Sequence, residues 1–378
     1  MSATRFIAGA LSAFSEAALR AAGADAPSAR DATRAMLHAS LHGIDSHGFR
    51  LLPHYCRAIR EGRVNGRPAP RFRSTRAGCG IVDADDGHGA RGTYLAADHA
   101  VALARQAGVG AVAVLRSSHF GPAGAYALEI ARAGLFGMVL CNSDAYVRLH
   151  EGAERFHGTN PIAAAAPTPG EPWLLDMATS AIPFNRIRLA RSLGLPLPEG
   201  AASDEDGRDT TDPARVAMLA PLGREQGFKG AGLAGLAEVL SAVMTGMRLS
   251  PEILPMLGPD WSTPRRMGAF VLAVDPAAFV GAEAFLEGMG RYLSLLRGSR
   301  PVAGGRVLAP GDREWEEAAR RRRAGVPIDP DTLAAMQEIA AAASIAMPAA
   351  VTGTPGQEDH QREERQLQPL KPPSPRWP

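Results

Sequence analysis

The sequence predicts a mixed α/β (α+β) fold: a helical domain built from both chain ends, with an α/β domain inserted between them. Three observations predict it. Apolar residues recur at helical spacing at the two ends. Short β-like apolar runs alternate with helical stretches in between. At 378 residues, 46% hydrophobic and 21% charged, the chain is long and apolar enough for two or three domains.

Phe6, Ile7, Leu11, Phe14, Ala18 and Leu19 set a first helix over residues 3–22, closed by Gly23. A second helix follows over about 28–41, with Pro27 near its first turn and Gly43 just past its end. Pro53 cannot sit inside a helix, so a third helix begins there and runs to Gly62, leaving His47 on an irregular segment. From Cys79, strands at 80–84, 111–115, 136–141, 162–166 and 173–176 alternate with helices at 94–107 and 123–133. A helix-like stretch then runs to Gly194, and 196–221, dense in Asp, Gly and Pro, reads as loop. A small-residue helix at 231–247, a strand at 269–274 and a helix at 276–296 complete the insert. Helices at 311–324 and 330–345 return the chain to helical character. The helical domain is thus 1–75 with 300–348, and the α/β domain is 76–299. Residues 349–378, rich in Pro, Gln, Glu and Arg, are predicted to be a disordered tail, to which the sequence assigns no role.

A net charge of +2 argues against a polyanionic partner or an anionic membrane surface. Arginines cluster only at Arg320, Arg321, Arg322 and Arg323, which read as a solvated helix face. Cys56, Cys79 and Cys141 are too few and too far apart for a disulfide framework or a zinc site, so a reducing compartment fits. The N-terminus lacks a signal-peptide pattern, and the most apolar long stretch, 231–247, is broken by Glu238 and falls short of the roughly 20 residues a span requires. A cytoplasmic protein that touches neither nucleic acid nor membrane is expected.

Chemistry concentrates in residues 42–55, which hold His42, His47, His54, Asp45, Ser46, Arg50 and Tyr55. Ser117-Ser118-His119-Phe120-Gly121 and Asp176-Met177-Ala178-Thr179-Ser180 each follow an apolar strand, and three polar clusters at element ends point to one site. No Gly-x-Gly-x-x-Gly with an acidic partner is present; Gly87-His88-Gly89-Ala90-Arg91-Gly92 lacks that partner. Gly227-Phe228-Lys229-Gly230 opens a helix and is placed to receive an anion. The histidines are not spaced as a His-Glu-x-x-His helix and no Gly-x-Ser-x-Gly elbow exists, so neither a metal site nor serine hydrolysis is indicated.

With these residues, Gly158-Thr159-Asn160-Pro161 and Val307-Leu308-Ala309-Pro310-Gly311, the chain resembles the type-2 malate/L-lactate dehydrogenase family from about Phe6 to Met347. The resemblance implies a non-Rossmann fold, a homodimer, and reversible hydride transfer between NAD or NADP and a small 2-oxo acid. Carried over by position, His47 is the general acid or base, Ser46 and Asp176 orient it and relay protons, and His119 is the second candidate or polarises the substrate oxygen. Arg50, Tyr55, Asn142 and Thr159 fall to the substrate. His119, Asp176, Met177, Ala178, Thr179, Ser180, Arg186, Lys229, Gly230, Pro310 and Gly311 fall to the cofactor.

Two departures stand out. The family's arginine four residues after the histidine is Leu51 here, with Arg50 one position earlier, and the Gly-Lys after the aspartate motif is Asn185-Arg186. Two alternatives follow: a cyclic-imine reductase of the Δ1-piperideine-2-carboxylate type, and a dimeric binding protein that has lost catalysis.

Overall fold

The computed structural model describes residues 4–351. From the N-terminus come β1 (Thr4–Phe6), α1 (Ala8–Ala21) and α2 (Ala26–Leu41), the last capped by Asp25, whose carboxylate accepts from the Ser28 amide at 2.8 Å. Two 3-10 turns, Asp45–His47 and Phe49–Leu51, break the chain before α3 (Leu52–Arg60). The irregular segment expected around His47 is therefore present, and it is tightly wound.

The insert runs through β2 (Arg71–Arg76), β3 (Cys79–Asp83), α4 (Gly89–Ala107), β4 (Val109–Ser117), α5 (Gly124–Arg132), β5 (Phe136–Cys141), β6 (Val147–Arg148), β7 (Arg155–His157), β8 (Ile162–Ala166) and β9 (Trp173–Met177). It continues with α6 (Phe184–Leu193), β10 (Ala202–Ser203), β11 (Met218–Leu219), α7 (Gly227–Glu238), a π-helical turn at Val239–Val243, β12 (Met267–Val274) and α8 (Ala282–Arg297). After it come α9 (Asp312–Ala324), β13 (Val326–Ile328) and α10 (Pro330–Ala343).

The central sheet has seven strands in the order β2-β3-β4-β12-β5-β8-β9, and only the β3–β4 pairing is parallel. Its core is Val82, Val112, Val114, Val139 and Val271 against Ala100 and Ala104 of α4 and Tyr126 and Ile130 of α5. On β12, Gly268 lets the π-helical turn approach: a Cβ there would fall on the Ser241 carbonyl. A smaller sheet, β10-β11-β6-β7, has its own core around Val147, Ile187 and Leu219. Both chain ends share one further core, in which Leu11, Phe14, Met36, Phe49 and Leu52 meet Ala318, Val326 and Met336.

Several expectations are corrected. The β1–β13 pair and β2 were not foreseen: the first is short, and β2 is an arginine-rich edge strand with little apolar content. The expected loop 196–221 contains β10 and β11. The 276–296 helix begins only at Ala282, because Pro276–Ala278 is a 3-10 turn capped by Asp275 and Gly281 then takes φ +89°. The arginine run is not uniformly solvated. Arg321 is buried, donates to the Ser40 carbonyl at 2.7 Å, and pairs with Asp45 and Glu317. Of the expected tail 349–378, Ala350 is ordered against Phe6 through a β-bridge and the Val351 amide donates to the Arg5 carbonyl at 2.8 Å; residues 352–378 lie outside the described residues.

Candidate active site

The turn carrying His47 is held by close packing. A Cβ on Gly48 would lie 2.1 Å from Ser40 Oγ, and the Phe49 amide donates to that same oxygen at 3.0 Å. Ser46 Oγ lies 2.8 Å from His47 Nδ1. From α3, the buried Tyr55 sets its hydroxyl 2.8 Å from Nδ1 of His119, which follows β4. The two imidazoles face each other, with ring centroids 5.7 Å apart and planes 19° from parallel. Each has its Nδ1 anchored by a hydroxyl, and among the described residues no side chain or carbonyl takes its Nε2. Ser118 fixes the segment from below, accepting from the Gly89 amide and donating to the Gly87 carbonyl, both at 3.0 Å.

Asp176, at the end of β9, reaches the same turn from the other side. Its Oδ2 accepts from the Gly124 amide at 2.8 Å, at the start of α5, where a Cβ on Gly124 would stand 2.7 Å from that oxygen. Three residues earlier, Gly121 has φ +79°, and an added Cβ there would sit 3.7 Å from the Tyr55 hydroxyl and 4.0 Å from the His47 carbonyl. The turn 121–124 thus joins the three clusters. Asp176 makes no hydrogen bond to His47 among the described residues; the partner of His47 is Ser46.

A ribbon leads onward from Asp176. The Thr179 hydroxyl donates to the Thr159 carbonyl at 3.1 Å and to the Asn160 carbonyl at 3.2 Å, and the Leu222 amide donates to the Thr179 carbonyl at 2.9 Å. The Gly230 amide donates to the Leu222 carbonyl at 3.1 Å, which sets the exposed Lys229 in the first turn of α7 beside the ribbon. Met177 and Ala178 are half-buried, and Ser180 Oγ donates to the Ile182 carbonyl at 2.9 Å. On the other flank, the Leu174 amide donates to the Pro310 carbonyl at 3.3 Å, and Gly311 turns with φ +97° against the same strand.

Other expected residues lie elsewhere. Asn142 is fully buried: its amide donates to Glu238 at 3.3 Å and to the Arg248 carbonyl at 2.9 Å. Thr159 acts through its backbone, and its amide donates to Ser143 Oγ at 3.2 Å. Leu51 packs on the helical core, while Arg50 is half-buried and makes no ion pair among the described residues. Burial opposes ionisation of Asp329, yet its bonds to Thr332 and the Arg50 charge hold it below the usual carboxylate range. Arg186 is exposed on α6. His88 caps α4, accepting from the Ala90 amide at 3.1 Å, so that glycine-rich stretch is a helix start. Sequence reasoning missed the buried Glu238, which accepts from Asn142, from Asn160 at 2.8 Å and from Ser250 at 2.6 Å. The one signal was a lone carboxylate in a small-residue apolar helix.

Burial pushes His47 down to about 4, and drives His119 well below the ordinary imidazole range, with the neighbouring His47 adding to it. Both are therefore neutral near pH 7. Burial raises the Tyr55 phenol far above its usual value, so it remains a hydroxyl. Burial also lifts Asp176 to about 6, against the pull of its Gly124 bond. An open cavity of about 620 Å³ between residues 168–171, α8 and α9 holds neither imidazole, and its Arg297 and Arg306 are paired with Asp312 and Glu316, each at 2.7 Å.

Residues 7–337 match the profile described as malate/L-lactate dehydrogenase. The chain is 33% identical to malate dehydrogenase of Pyrococcus abyssi, over 81% of this chain and 85% of that one. It is 34% identical to Δ1-pyrroline-2-carboxylate reductase of Pseudomonas fluorescens, over 75% and 83%. The structure of sulfolactate dehydrogenase from Methanocaldococcus jannaschii superposes with a TM-score of 0.85 at 28% identity, covering 91% of this chain and 98% of that one.

Proposed function

The chain belongs to the malate/L-lactate dehydrogenase family, and from that premise we propose that it is an NAD(P)-dependent oxidoreductase that interconverts a small 2-oxo acid and its 2-hydroxy acid. The observation that carries the reading is the facing pair His47 and His119, each pinned at Nδ1 and open at Nε2. The donor set fits a dinucleotide: Lys229 in the first turn of α7 offers a cation and helix-start amides to a pyrophosphate, and Arg186, exposed on α6, is a second candidate cation. Asp176 through Ser180, Gly230 and the Pro310-Gly311 turn line the approach from the sheet. Bound there, the reduced nicotinamide supplies a hydride to the carbonyl carbon.

The chain's own residues handle the proton. The Tyr55 hydroxyl donates to His119 Nδ1, which leaves a proton on Nε2 to polarise the substrate oxygen. His47 Nε2 delivers its proton to that oxygen as negative charge develops, while Ser46 passes its own proton to Nδ1 and takes one from solvent, so that no charge is left on either; in the oxidative direction the same relay runs backwards, from the hydroxyl through His47 and Ser46 to solvent. Asp176 holds the turn 121–124 in place, which makes it a positioning residue.

We further read the fold as non-Rossmann, since its sheet has one parallel pairing where a doubly wound fold is mostly parallel. The core shared by both chain ends supports the division into a helical domain of both ends and an inserted domain. A homodimer is supported by the apolar face formed by Phe228, Val239, Val243 and Met244, each at least half exposed.

A cyclic-imine substrate is the second reading, favoured by Leu51 packing against the helical core in place of an arginine and by the pyrroline-2-carboxylate reductase relative. The test is a screen of 2-oxo acids and cyclic imino acids with NADH and NADPH, read at the reduced-cofactor absorbance. Turnover of imines alone would overturn the first reading. Melting that neither cofactor alters would instead favour a binding protein without catalysis.

A further inference from the structure

Two buried guanidiniums, Arg265 and Arg63, have no use in the proton chemistry. Arg265 is 2% exposed; its Nε donates to the Leu254 carbonyl at 2.8 Å and one Nη pairs with Asp144, but Nη1 is buried with no partner. Arg63, 1% exposed, gives Nη1 to the Met256 carbonyl at 2.8 Å and lies 4.5 Å over the Trp261 ring, while its Nε and Nη2 are also unpartnered. His54 bridges to the site. Its ring is 5.1 Å from Trp261 and 5.7 Å from Tyr55, and its Nδ1 is a fourth buried atom without a partner.

Buried donors are nearly always satisfied, so several orphans in one cluster mark a place for an acceptor. Among the described residues Asp144 pairs with Arg265 alone, and guanidinium nitrogens can only donate, so the group that completes them must be an acceptor. The Arg265 charge also acts on both His119 and Tyr55.

We propose that Arg265, backed by Arg63, grips the substrate carboxylate, taking over the role of the arginine replaced by Leu51. This rests on the oxidoreductase reading above. A planar fork already held by Leu254 and Asp144 is preorganised for one further acceptor.

The test uses the full chain saturated with NADH, titrated with oxamate, an anionic isostere of a small 2-oxo acid, and with its uncharged counterpart oxamide. The wild type should be stabilised by oxamate and not by oxamide. Arg265→Lys should weaken oxamate binding about tenfold to a hundredfold while NADH still raises its melting temperature. Should that variant not fold, Asp144→Asn with Arg265→Gln removes the buried pair together, and oxamate binding must be lost there too. Equal oxamate stabilisation of variant and wild type, or equal response of the wild type to oxamide, overturns the assignment. A wild type indifferent to NADH itself would instead bring down the nicotinamide reading.

Discussion

A hydroxyl on Nδ1 leaves an imidazole free to work at Nε2, and the two histidines differ in which hydroxyl they hold. Ser46 is half-buried and can turn to donate or accept, which suits a group that must gain and lose a proton. Tyr55 is buried and stays protonated, which suits a fixed donor. His47→Asn should therefore lower kcat by about 10²- to 10⁴-fold while NADH still raises the melting temperature; normal turnover would move the proton role to His119. Tyr55→Phe keeps the edge contact to His88 at 4.2 Å but orphans His119 Nδ1. It should cost about 1–2 kcal/mol in denaturant unfolding and a larger share of kcat than of KM. His47, Ser46, His119 and Asp176 were legible because polar groups cluster where apolar runs end. Arg265 and Arg63 were not, because nothing local marks an arginine as buried; tertiary packing of the 254–265 segment decides it.

At the scale of elements, the site depends on the junction where β9 meets the start of α5. Gly124 lets Asp176 close on the helix amide, and an added Cβ would meet Asp176 Cβ at 3.0 Å as well as Oδ2, so the whole side chain would have to move. Gly124→Ala should thus lower turnover more than it lowers the melting temperature, while an unchanged kcat would remove Asp176 from the positioning of this turn. A second junction ties α9 to the His47 turn through Arg321. Arg321→Met should cost about 1–3 kcal/mol in urea unfolding, because the Ser40 carbonyl is buried and loses a charged donor. Strands with continuous apolar runs, such as β5 and β8, were legible to the residue. β2 was not, since an edge strand faces solvent and its side chains carry no core pattern. The π-helical turn after α7 was hidden too, because its cause is the close approach of Ser241 to Gly268 on a distant strand.

For the whole molecule, folding withdraws several histidines from water, His47 and His119 of the proposed proton chemistry among them. Burial lowers His42, His47 and His54 to about 4 and His88 to about 3. In the unfolded chain they titrate near their ordinary value of about 6.5. Between those limits the unfolded chain binds more protons than the folded one, so stability is fully present above pH ~6.5 and is lost as pH falls toward 4. Asp176, raised to about 6, and Asp31 and Asp98, raised by burial, work the other way and add stability as pH falls, but they are outnumbered by the buried imidazoles, which include His38 and His119. The expected outcome is a urea midpoint that declines from pH 7 to 4.5, with net proton uptake on unfolding near pH 5. Calorimetry in buffers of different ionisation enthalpy measures that uptake directly. A flat midpoint with no uptake would mean that these imidazoles are solvated in the native protein, and the neutral His47 and His119 required by the proton chemistry would lose their physical basis.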